Sequence, residues 1–443
     1  MDRWNGVCRG IALVVGILLM AQPVCAQTRR AARPYRALFG GDASNQRSLH
    51  QLDLTVSLNG GVDNGLVAPD AVTPVDSPSA ASAEFADYYS AGAQLSYVMR
   101  GSRLGVGVRG STSFPYYSTL PDAADLAYGT SANVSFMSGA TSVSAGGGFA
   151  YSPYYSPAFE PGSGPVLPGG DYGSAVSPNN MASAGASLMR RFGRATSMSV
   201  AYSLSGMVFV DEDRSDRNQS AGLSASRQAS KSVTFRGGYA YSAADYTTAG
   251  VSSTSRSHGF DVGCGYTRQS SRDRPITLGA AVGASVVDSL QAQSQGWTGS
   301  VSVNQVISAN WSAGANYSRS LQFESAIQQP VWSDDVIATA AGRFGRRVNL
   351  SFGASYSRGD GVAQRGQDFV TYSGTAHLRV ALATFVAITG DYIYYRYDYP
   401  AGYDLPAGVP QRLDRQRVQI GANFWLPIVR AGRARETRPA ANQ

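Results

Sequence analysis

The hairpin that decides the fold class has the sequence YSAGAQLSYVMRGSRLGVGVRGSTSF, residues 89–114. Before its turn at 100–103, apolar residues such as Leu95 and Tyr97 alternate with small or polar residues, and the alternation resumes at Leu104. A period of two places successive side chains on opposite faces of a β-strand. The segment therefore predicts two strands, each with one apolar and one polar face, joined by a tight turn.

The same alternation continues through residues 49–427. Connections after odd-numbered segments are long and polar, whereas those after even-numbered segments are short turns, as at Arg191–Arg194. Membrane barrels have this asymmetry because their long loops face outward and their short turns face the periplasm. We therefore predict an all-β fold, a transmembrane antiparallel up-and-down β-barrel of 18 strands, with 16 as the alternative.

The predicted lipid-facing side of the strands supports this interpretation. It carries no Asp, Glu, Lys or Arg in the middle of a strand, where a Lys or Arg would cost a barrel about 2–4 kcal/mol. Aromatic residues cluster near both strand ends, as Tyr89 and Tyr97 do, and predict two interfacial belts. A soluble sandwich would not need alternating loop lengths, and a solenoid would show a fixed sequence repeat.

The N-terminus has the features of a secretory signal. Arg3 and Arg9 precede an apolar run that is too short to span a membrane as a helix. We predict a signal peptide at 1–26, a periplasmic N-terminal segment at 27–48, the transmembrane β-barrel at 49–427 and a periplasmic C-terminal tail at 428–443. A signal peptide followed by a transmembrane β-barrel predicts that the protein is located in the outer membrane of a Gram-negative cell.

The predicted inward face is dominated by small residues, and the chain contains 50 glycines. Small side chains cannot fill a barrel of this size, which favours an aqueous channel. The charged residues that face inward in the predicted register are Asp53, Arg109, Arg236, Asp261, Asp335, Arg343, Asp391 and Arg417. Because both signs occur, a strongly ion-selective ring is not expected.

Three of these residues come together in the predicted closure of the barrel. Asp391 and Arg417 lie on neighbouring predicted strands, with Asp53 adjacent across the closure. We favour a salt bridge in the wall that holds the last strand in register against the first. A role in solute selectivity is the alternative.

The mature chain resembles porin-like outer-membrane β-barrels of Gram-negative bacteria, including uncharacterised barrels tied to exopolysaccharide export. The resemblance is carried by Gly60–Asn64 and by the closing stretch Arg417–Pro427, which is similar to the barrel-assembly signal of last strands. The chain departs from that signal because it continues to Gln443 instead of ending in an aromatic residue.

The segment 152–180 is predicted to be the longest external loop. Its place in the loop order, together with Glu160 and Asp171, resembles the constriction loop of general porins, which folds into the lumen. A solvated external loop is the alternative. Mid-strand aromatic residues that face inward are predicted to be few, chiefly Tyr395 and Trp425, in contrast to the aromatic track of sugar-specific porins.

Enzymatic and metal-binding chemistry are not expected. His377 is predicted to face inward, but no Ser or Cys is predicted beside it as an activated nucleophile. Metal ligands are not clustered, and neither a metal nor another cofactor is expected. The net charge of +7 comes mainly from Arg in turns and tails, so nucleic acid is not an expected partner.

The resulting functional expectation is an outer-membrane porin-like channel for passive diffusion of small hydrophilic solutes. The alternatives are a barrel associated with exopolysaccharide export and a structural or surface-interaction barrel. Expected partners are outer-membrane lipid and lipopolysaccharide, the barrel-assembly machinery and small solutes. A homo-oligomer is an option that no feature of the sequence demands.

Overall fold

The computed structural model describes residues 48–64, 86–118, 126–155, 175–210, 212–269, 274–289, 293–324, 329–362, 368–400 and 411–433. The chain divides into two units, Met1–Arg33 and Pro34–Gln443, and all described residues belong to the second. The predicted signal peptide and the acidic residues Glu160 and Asp171 lie outside the described residues. Within the described part of the chain, no helix is long and apolar enough to cross a membrane.

The second unit contains one antiparallel sheet of 18 strands. The strands are β1 Ser48–Asp63, β2 Ala86–Arg100, β3 Leu104–Tyr117, β4 Ala127–Ser138, β5 Thr141–Tyr155, β6 Ala175–Phe192, β7 Thr196–Phe209, β8 Arg214–Gln228, β9 Val233–Thr248, β10 Val251–Gln269, β11 Pro275–Ser289, β12 Gln293–Ser308, β13 Trp311–Glu324, β14 Gln329–Phe344, β15 Val348–Gly361, β16 Asp368–Ala381, β17 Val386–Asp398 and β18 Arg412–Arg433. Each strand pairs with the next, and β1 also pairs with β18, which closes the barrel. The predicted fold class and the count of 18 are confirmed.

Cross-strand pairing shows which side chains share a face. Asp53 pairs with Ser96, which pairs with Arg109, and this polar row faces the interior. On the opposite face, Val282 and Ile420 are 59% and 66% exposed. Large apolar side chains are outward on nearly every strand, and an exposed apolar surface of this extent is stable in lipid rather than in water.

The barrel has a turn end, where the β1 start and the β18 end lie, and a loop end, where residues 64–85, 156–174 and 399–411 connect strands. One expectation about the loop end is wrong. After the odd-numbered β9, the chain turns at Ala249 and Gly250, both with positive φ, as a two-residue hairpin turn requires. Strands β9 and β10 pair throughout this hairpin, although its polar sequence resembles that of a loop.

The predicted loop 152–180 is shorter in the structure. Strand β5 continues to Tyr155 and β6 begins at Ala175, which leaves 156–174 between them. The connection 64–85 between β1 and β2 contains more residues. The prediction that 152–180 is the longest loop is therefore wrong, because strand pairing extends beyond the predicted strand ends.

The last strand also extends beyond its predicted end. Residues 428–433, which the sequence assigned to a periplasmic tail, belong to β18. They pair with the start of β1 after an irregularity between Leu52 and Asp53. The described barrel therefore runs from Ser48 to Arg433.

Candidate functional site in the barrel interior

The interior contains two contrasting surfaces, and three of the predicted inward charges, Asp53, Asp391 and Arg417, lie on one of them. All eight side chains lie on the inward face in the observed register. The buried residues are Asp53, Asp335, Asp391 and Arg417, the exposed residues are Arg109 and Arg236, and the half-buried residues are Asp261 and Arg343.

The first surface, here called the charged wall, is the inward face of β16, β17, β18 and β1. On it, Gln419 Nε2 donates a hydrogen bond to Asp391 Oδ2 at 3.0 Å, and Arg417 Nη2 donates to Gln419 Oε1 at 2.7 Å. His377 Nδ1 is hydrogen-bonded to the other oxygen of Asp391. These contacts form a continuous polar network in which the charged groups have partners.

The expected direct salt bridge between Asp391 and Arg417 is not among the ion pairs of the described residues. In the register between β17 and β18, Asp391 is opposite Gln419, and Arg417 is opposite Ile393. Gln419 therefore lies between the two charged groups and connects them. Arg417 also packs over the ring of Tyr88 on β2, with its guanidinium carbon 3.7 Å from the ring centroid.

The contact between β18 and β1, which closes the barrel, is here called the seam. Two inward ion pairs of the described residues join these strands, one near each end of the seam. Near the loop end, Arg415 Nε donates to Asp63 Oδ1 at 2.9 Å, and the two side chains are 4% and 0% exposed. Near the turn end, Arg430 pairs with Asp53, which also accepts a hydrogen bond from Gln51 at 2.5 Å. Ion pairs therefore stabilise the seam near both of its ends.

Asp63 and Arg415 are not among the inward charges predicted from the sequence. The signal was nevertheless present in the alternation, since residues an even number of positions apart on a regular strand share a face. Asp63 is ten residues after Asp53, and Arg415 is two residues before Arg417. Their partnership with each other depends on the register between the first and last strands, which is a tertiary property.

Asp335 on β14 is held in a separate cluster of neutral donors. Ser333 and Ser357 donate to Asp335 Oδ1 at 2.7 and 2.6 Å, and Gln322 donates to Asp335 Oδ2 at 2.9 Å. The residue is 1% exposed. Three hydrogen bonds replace the water that a buried carboxylate loses.

The second surface, here called the hydroxyl wall, is the inward face of β4–β8. Cross-strand serine pairs line it, with oxygen–oxygen distances of 2.7 Å in each: Ser144–Ser187, Ser197–Ser226, Ser199–Ser224 and Ser203–Ser220. Between Arg191 near the turn end and Asp216 near the loop end, the described inward residues of these strands are uncharged. The wall is solvent-exposed over much of its length.

The loop end of the interior is packed with side chains. Buried inward residues there come from strands around the whole ring: Asp63, Tyr88, Tyr117, Asn179, Phe209, Asp216, Tyr246, Val287, Ser294, Val331, Phe369, Tyr397 and Leu413. One hydrophobic cluster includes both Phe209 and Phe369. These residues lie on β7 and β16, which are nine positions apart in the closed ring of 18 strands. The cluster therefore spans the interior between opposite walls.

Inward aromatic residues are more numerous at the strand ends than in the middle of the strands. Tyr395 and Trp425 do face inward, but so do the buried residues Tyr88, Tyr117, Phe209, Tyr246, Phe369 and Tyr397. These six residues lie at strand ends; Tyr88, Tyr117, Tyr246 and Tyr397 are outside the predicted strand limits, whereas Phe209 and Phe369 are end residues of their predicted strands. The packed loop end of the interior is consequently rich in aromatic residues.

The surroundings of His377 also differ from expectation. Ser351 on β15 lies directly opposite His377, which lies opposite Asp391. No hydrogen bond joins Ser351 to His377 in the described structure, although His377 is engaged by Asp391. The described residues contain no group of three His, Cys, Asp or Glu side chains that could hold a metal ion.

The outer face has aromatic residues at both ends of the strands. At the turn end, the rings of Trp311 and Phe344 are 5.1 Å apart, and at the loop end those of Tyr356 and Tyr372 are 5.2 Å apart. A closed antiparallel barrel with an apolar exterior between two aromatic belts is the architecture of outer-membrane proteins. The chain is an outer-membrane β-barrel.

Comparison with solved structures finds distant matches that cover most of the chain. OpdL of Pseudomonas aeruginosa matches with 13% identity over 86% of this chain and 99% of that chain, with a TM-score of 0.44. OpdQ of the same organism matches with 10% identity over 86% and 99% and a TM-score of 0.45. OccAB3 of Acinetobacter baumannii matches with 12% identity over 85% and 99% and a TM-score of 0.45. No family model and no curated protein matches the chain.

Proposed function

We propose that this outer-membrane barrel is a porin-like channel for passive diffusion of small hydrophilic solutes. The observation that carries the proposal is the exposed hydroxyl wall inside a closed barrel. Serine hydroxyls both donate and accept hydrogen bonds, so they can replace the hydration of polar solutes without binding one charge strongly. Passage of this kind needs neither a cofactor nor a catalytic group.

In this proposal the loop end controls the size of the passage. The cluster that includes Phe209, Phe369 and Tyr397 reduces the open cross-section there, while the hydroxyl wall lines a polar route between this cluster and the turn end. The inward charges Arg109 and Arg236 are exposed and would contact passing ions. A contribution from Glu160 and Asp171 as constriction residues stays a prediction.

The remaining expectations complete this proposal. Residues 1–26 would be removed on export, and the barrel-assembly machinery would insert the mature chain. Small solutes and outer-membrane lipid would be its partners, with nucleic acid having no role.

The proposal is tested by single-channel conductance of the refolded mature protein in a planar bilayer. The wild-type barrel should conduct, and the double variant Phe369→Ala/Tyr397→Ala should conduct more because it removes two buried rings at the loop end. Phe352→Ala is the matched control, since Phe352 is 46% exposed on the outer face, and its conductance should equal that of the wild type. A folded wild-type barrel that does not conduct would contradict passive diffusion.

A second candidate function, a barrel that serves exopolysaccharide export, is favoured by one observation, the packed loop end. An export barrel is expected to be closed at rest and to open with a periplasmic partner. The same experiment separates the two functions. A silent wild-type barrel with a conducting Phe369→Ala/Tyr397→Ala variant would favour the gated export barrel over the porin.

A further inference from the structure

Strands β12 and β13 separate from each other near the loop end. Their pairing stops at Gly299 and Arg319. Residues 294–298 of β12 and 320–324 of β13 would form the next five pairs in the same register, but these parts of the two strands are not paired with each other. In every other neighbouring strand pair of the described structure, pairing continues to within one residue of an end of one of the two strands. The wall is therefore split between β12 and β13.

Beyond the split, the β13–β14 hairpin is buried on both of its faces. Val331, Trp332 and Ser333 are successive residues of β14, and they are 0%, 8% and 0% exposed. Successive side chains of a strand point to opposite faces, so a hairpin in the barrel wall would turn one of these faces away from the lumen and from the rest of the protein. Here, instead, protein covers both faces. Residues 320–323 and 329–333 are called the hairpin end.

The contacts of Trp332 show where the hairpin end lies. Trp332 belongs to the outward face of β14, since it is three residues before the inward Asp335. Its side chain nevertheless packs with Val287 of β11, and its Nε1 donates a hydrogen bond to Ser294 Oγ of β12 at 3.4 Å. Val287 and Ser294 lie opposite each other on the inward face of their strands. The hairpin end therefore lies on the lumen side of β12.

The other face of the hairpin end joins the cluster that spans the interior. Val331 belongs to the same hydrophobic cluster as Phe209 of β7 and Phe369 of β16. On the first face, Gly296 of β12 provides the space for Trp332, because a Cβ atom at this position would lie 2.7 Å from the indole ring. The hairpin end is thus inserted between β12 and the opposite wall, and it occupies part of the loop-end opening.

The split leaves two strand edges that are complementary to each other. The edge of a strand presents N–H and C=O groups that can pair with another strand. Continuing the existing register would place Gln295 opposite Phe323. Every residue would keep its face, because the register does not shift. Re-pairing would return Trp332 to the outer face and withdraw the hairpin end from the lumen.

We propose that the hairpin end is the gate of this channel. Passage is restricted when the hairpin end lies against the inner face of β11 and β12, as in this structure, and it opens when β13 pairs with β12 along its full length. Buried side chains stabilise the restricted state, and backbone hydrogen bonds stabilise the open state. Two discrete packings of one element are what a switch requires. The proposal rests on the proposed channel function and adds how passage is regulated.

The test joins β12 to β13 by a disulfide in the refolded mature protein. In a Cys264→Ser background, Gln295→Cys/Phe323→Cys should form a disulfide when the strands re-pair, because residues directly opposite each other satisfy the distance that a disulfide needs. If the restricted state is the more populated one, locking the open state should raise the mean conductance at least about twofold. Reduction of the disulfide should reverse the increase.

The matched control is Val303→Cys/Ala315→Cys in the same background. These residues are opposite each other on the same two strands and the same face, within the paired region. Their disulfide should form and leave the conductance unchanged. Failure of the Gln295→Cys/Phe323→Cys pair to oxidise would overturn the proposal, because the strands would not re-pair.

The conductance of the oxidised and reduced forms separates the gate from the channel function. A wild-type barrel that conducts, together with a disulfide that changes nothing, would retain the channel function and overturn the gate. A silent wild-type barrel with a conducting oxidised variant would support the gate and contradict unaided passive diffusion. Silence of the wild type and of both forms of the variant would overturn both proposals.

A variant without a disulfide tests the same gate from the restricted side. Gly296→Ala places a Cβ atom where Trp332 lies and should raise the mean conductance by destabilising the restricted state. Gly110→Ala is the control, since a Cβ atom there would meet no atom within 4 Å. In a Trp332→Ala background, Gly296→Ala should have no further effect. Equal conductance of Gly296→Ala and Gly110→Ala would contradict the proposed role of Trp332.

Discussion

The charged wall and the hydroxyl wall stabilise their polar groups inside the barrel in different ways. In the charged wall, buried residues such as Arg417 and Asp391 are connected to each other through Gln419. In the hydroxyl wall, pairs such as Ser203–Ser220 hydrogen-bond to each other but stay exposed to solvent. The first arrangement fixes the strands in register, and the second leaves a surface for transient contacts. One barrel therefore separates its structural polar groups from those available to a solute.

The largest expected effect on the free energy of unfolding comes from removing a buried carboxylate at the seam. Asp63→Ala leaves Arg415 buried without this carboxylate, and breaking a buried pair in this way costs about 3–5 kcal/mol. The free energy of unfolding should be measured by urea titration in lipid vesicles.

The matched control for the seam is Arg109→Ala, which removes an exposed inward charge. Its free energy of unfolding should remain within about 0.5 kcal/mol of the wild type. Equal losses of stability in Asp63→Ala and Arg109→Ala would show that the two surfaces do not differ in structural role.

A smaller difference is expected when the same substitution is made in a buried cluster and in the hydroxyl wall. Ser357→Ala removes a 2.6 Å hydrogen bond to the buried Asp335, and the free energy of unfolding should fall by about 1–3 kcal/mol. Ser203→Ala removes an exposed hydrogen bond to Ser220, and its effect should stay below about 1 kcal/mol because water replaces the partner. The ratio of the two losses in free energy of unfolding, both from the same urea titrations, measures how much more a serine hydrogen bond contributes when it is buried.

The smallest effect concerns ion preference. Arg109→Glu reverses an exposed lumen charge and should move the reversal potential in a salt gradient toward cation preference. The shift should be modest, since charges are screened over about 10 Å in 0.1 M salt. Asp391→Asn, in the buried network, should leave the reversal potential unchanged. A larger shift for Asp391→Asn than for Arg109→Glu would place the solute path along the charged wall.

The seam shows how far the sequence predicts the site. Alternation along each strand is a local property, so it was sufficient to place Asp53, Asp391 and Arg417 on one face. It was not sufficient to identify their partners, because those depend on which residues are opposite each other across strands. The sequence predicts a direct salt bridge between Asp391 and Arg417, whereas in the structure Gln419 lies between them and bonds to both.

The loop end shows a second limit. Phe209 and Phe369 are 160 positions apart in the sequence and belong to one cluster only because the barrel closes. The polar sequence around 242–256 is typical of a loop, but β9 and β10 pair through it to the turn at Ala249 and Gly250. Neither feature has a local signal, since both depend on contacts between distant strands.

The sequence by itself determined the class of protein, because lipid on one side and polar residues on the other impose a period of two on every strand. The count of 18 strands and the inward or outward direction of the mid-strand side chains follow from the same period. Only the tertiary structure decided the partners of the inward charges, the packing of the loop end and the extent of the last strand. These depend on strand register and closure, and the free energy of a register is the sum of contacts across strands that no single segment contains.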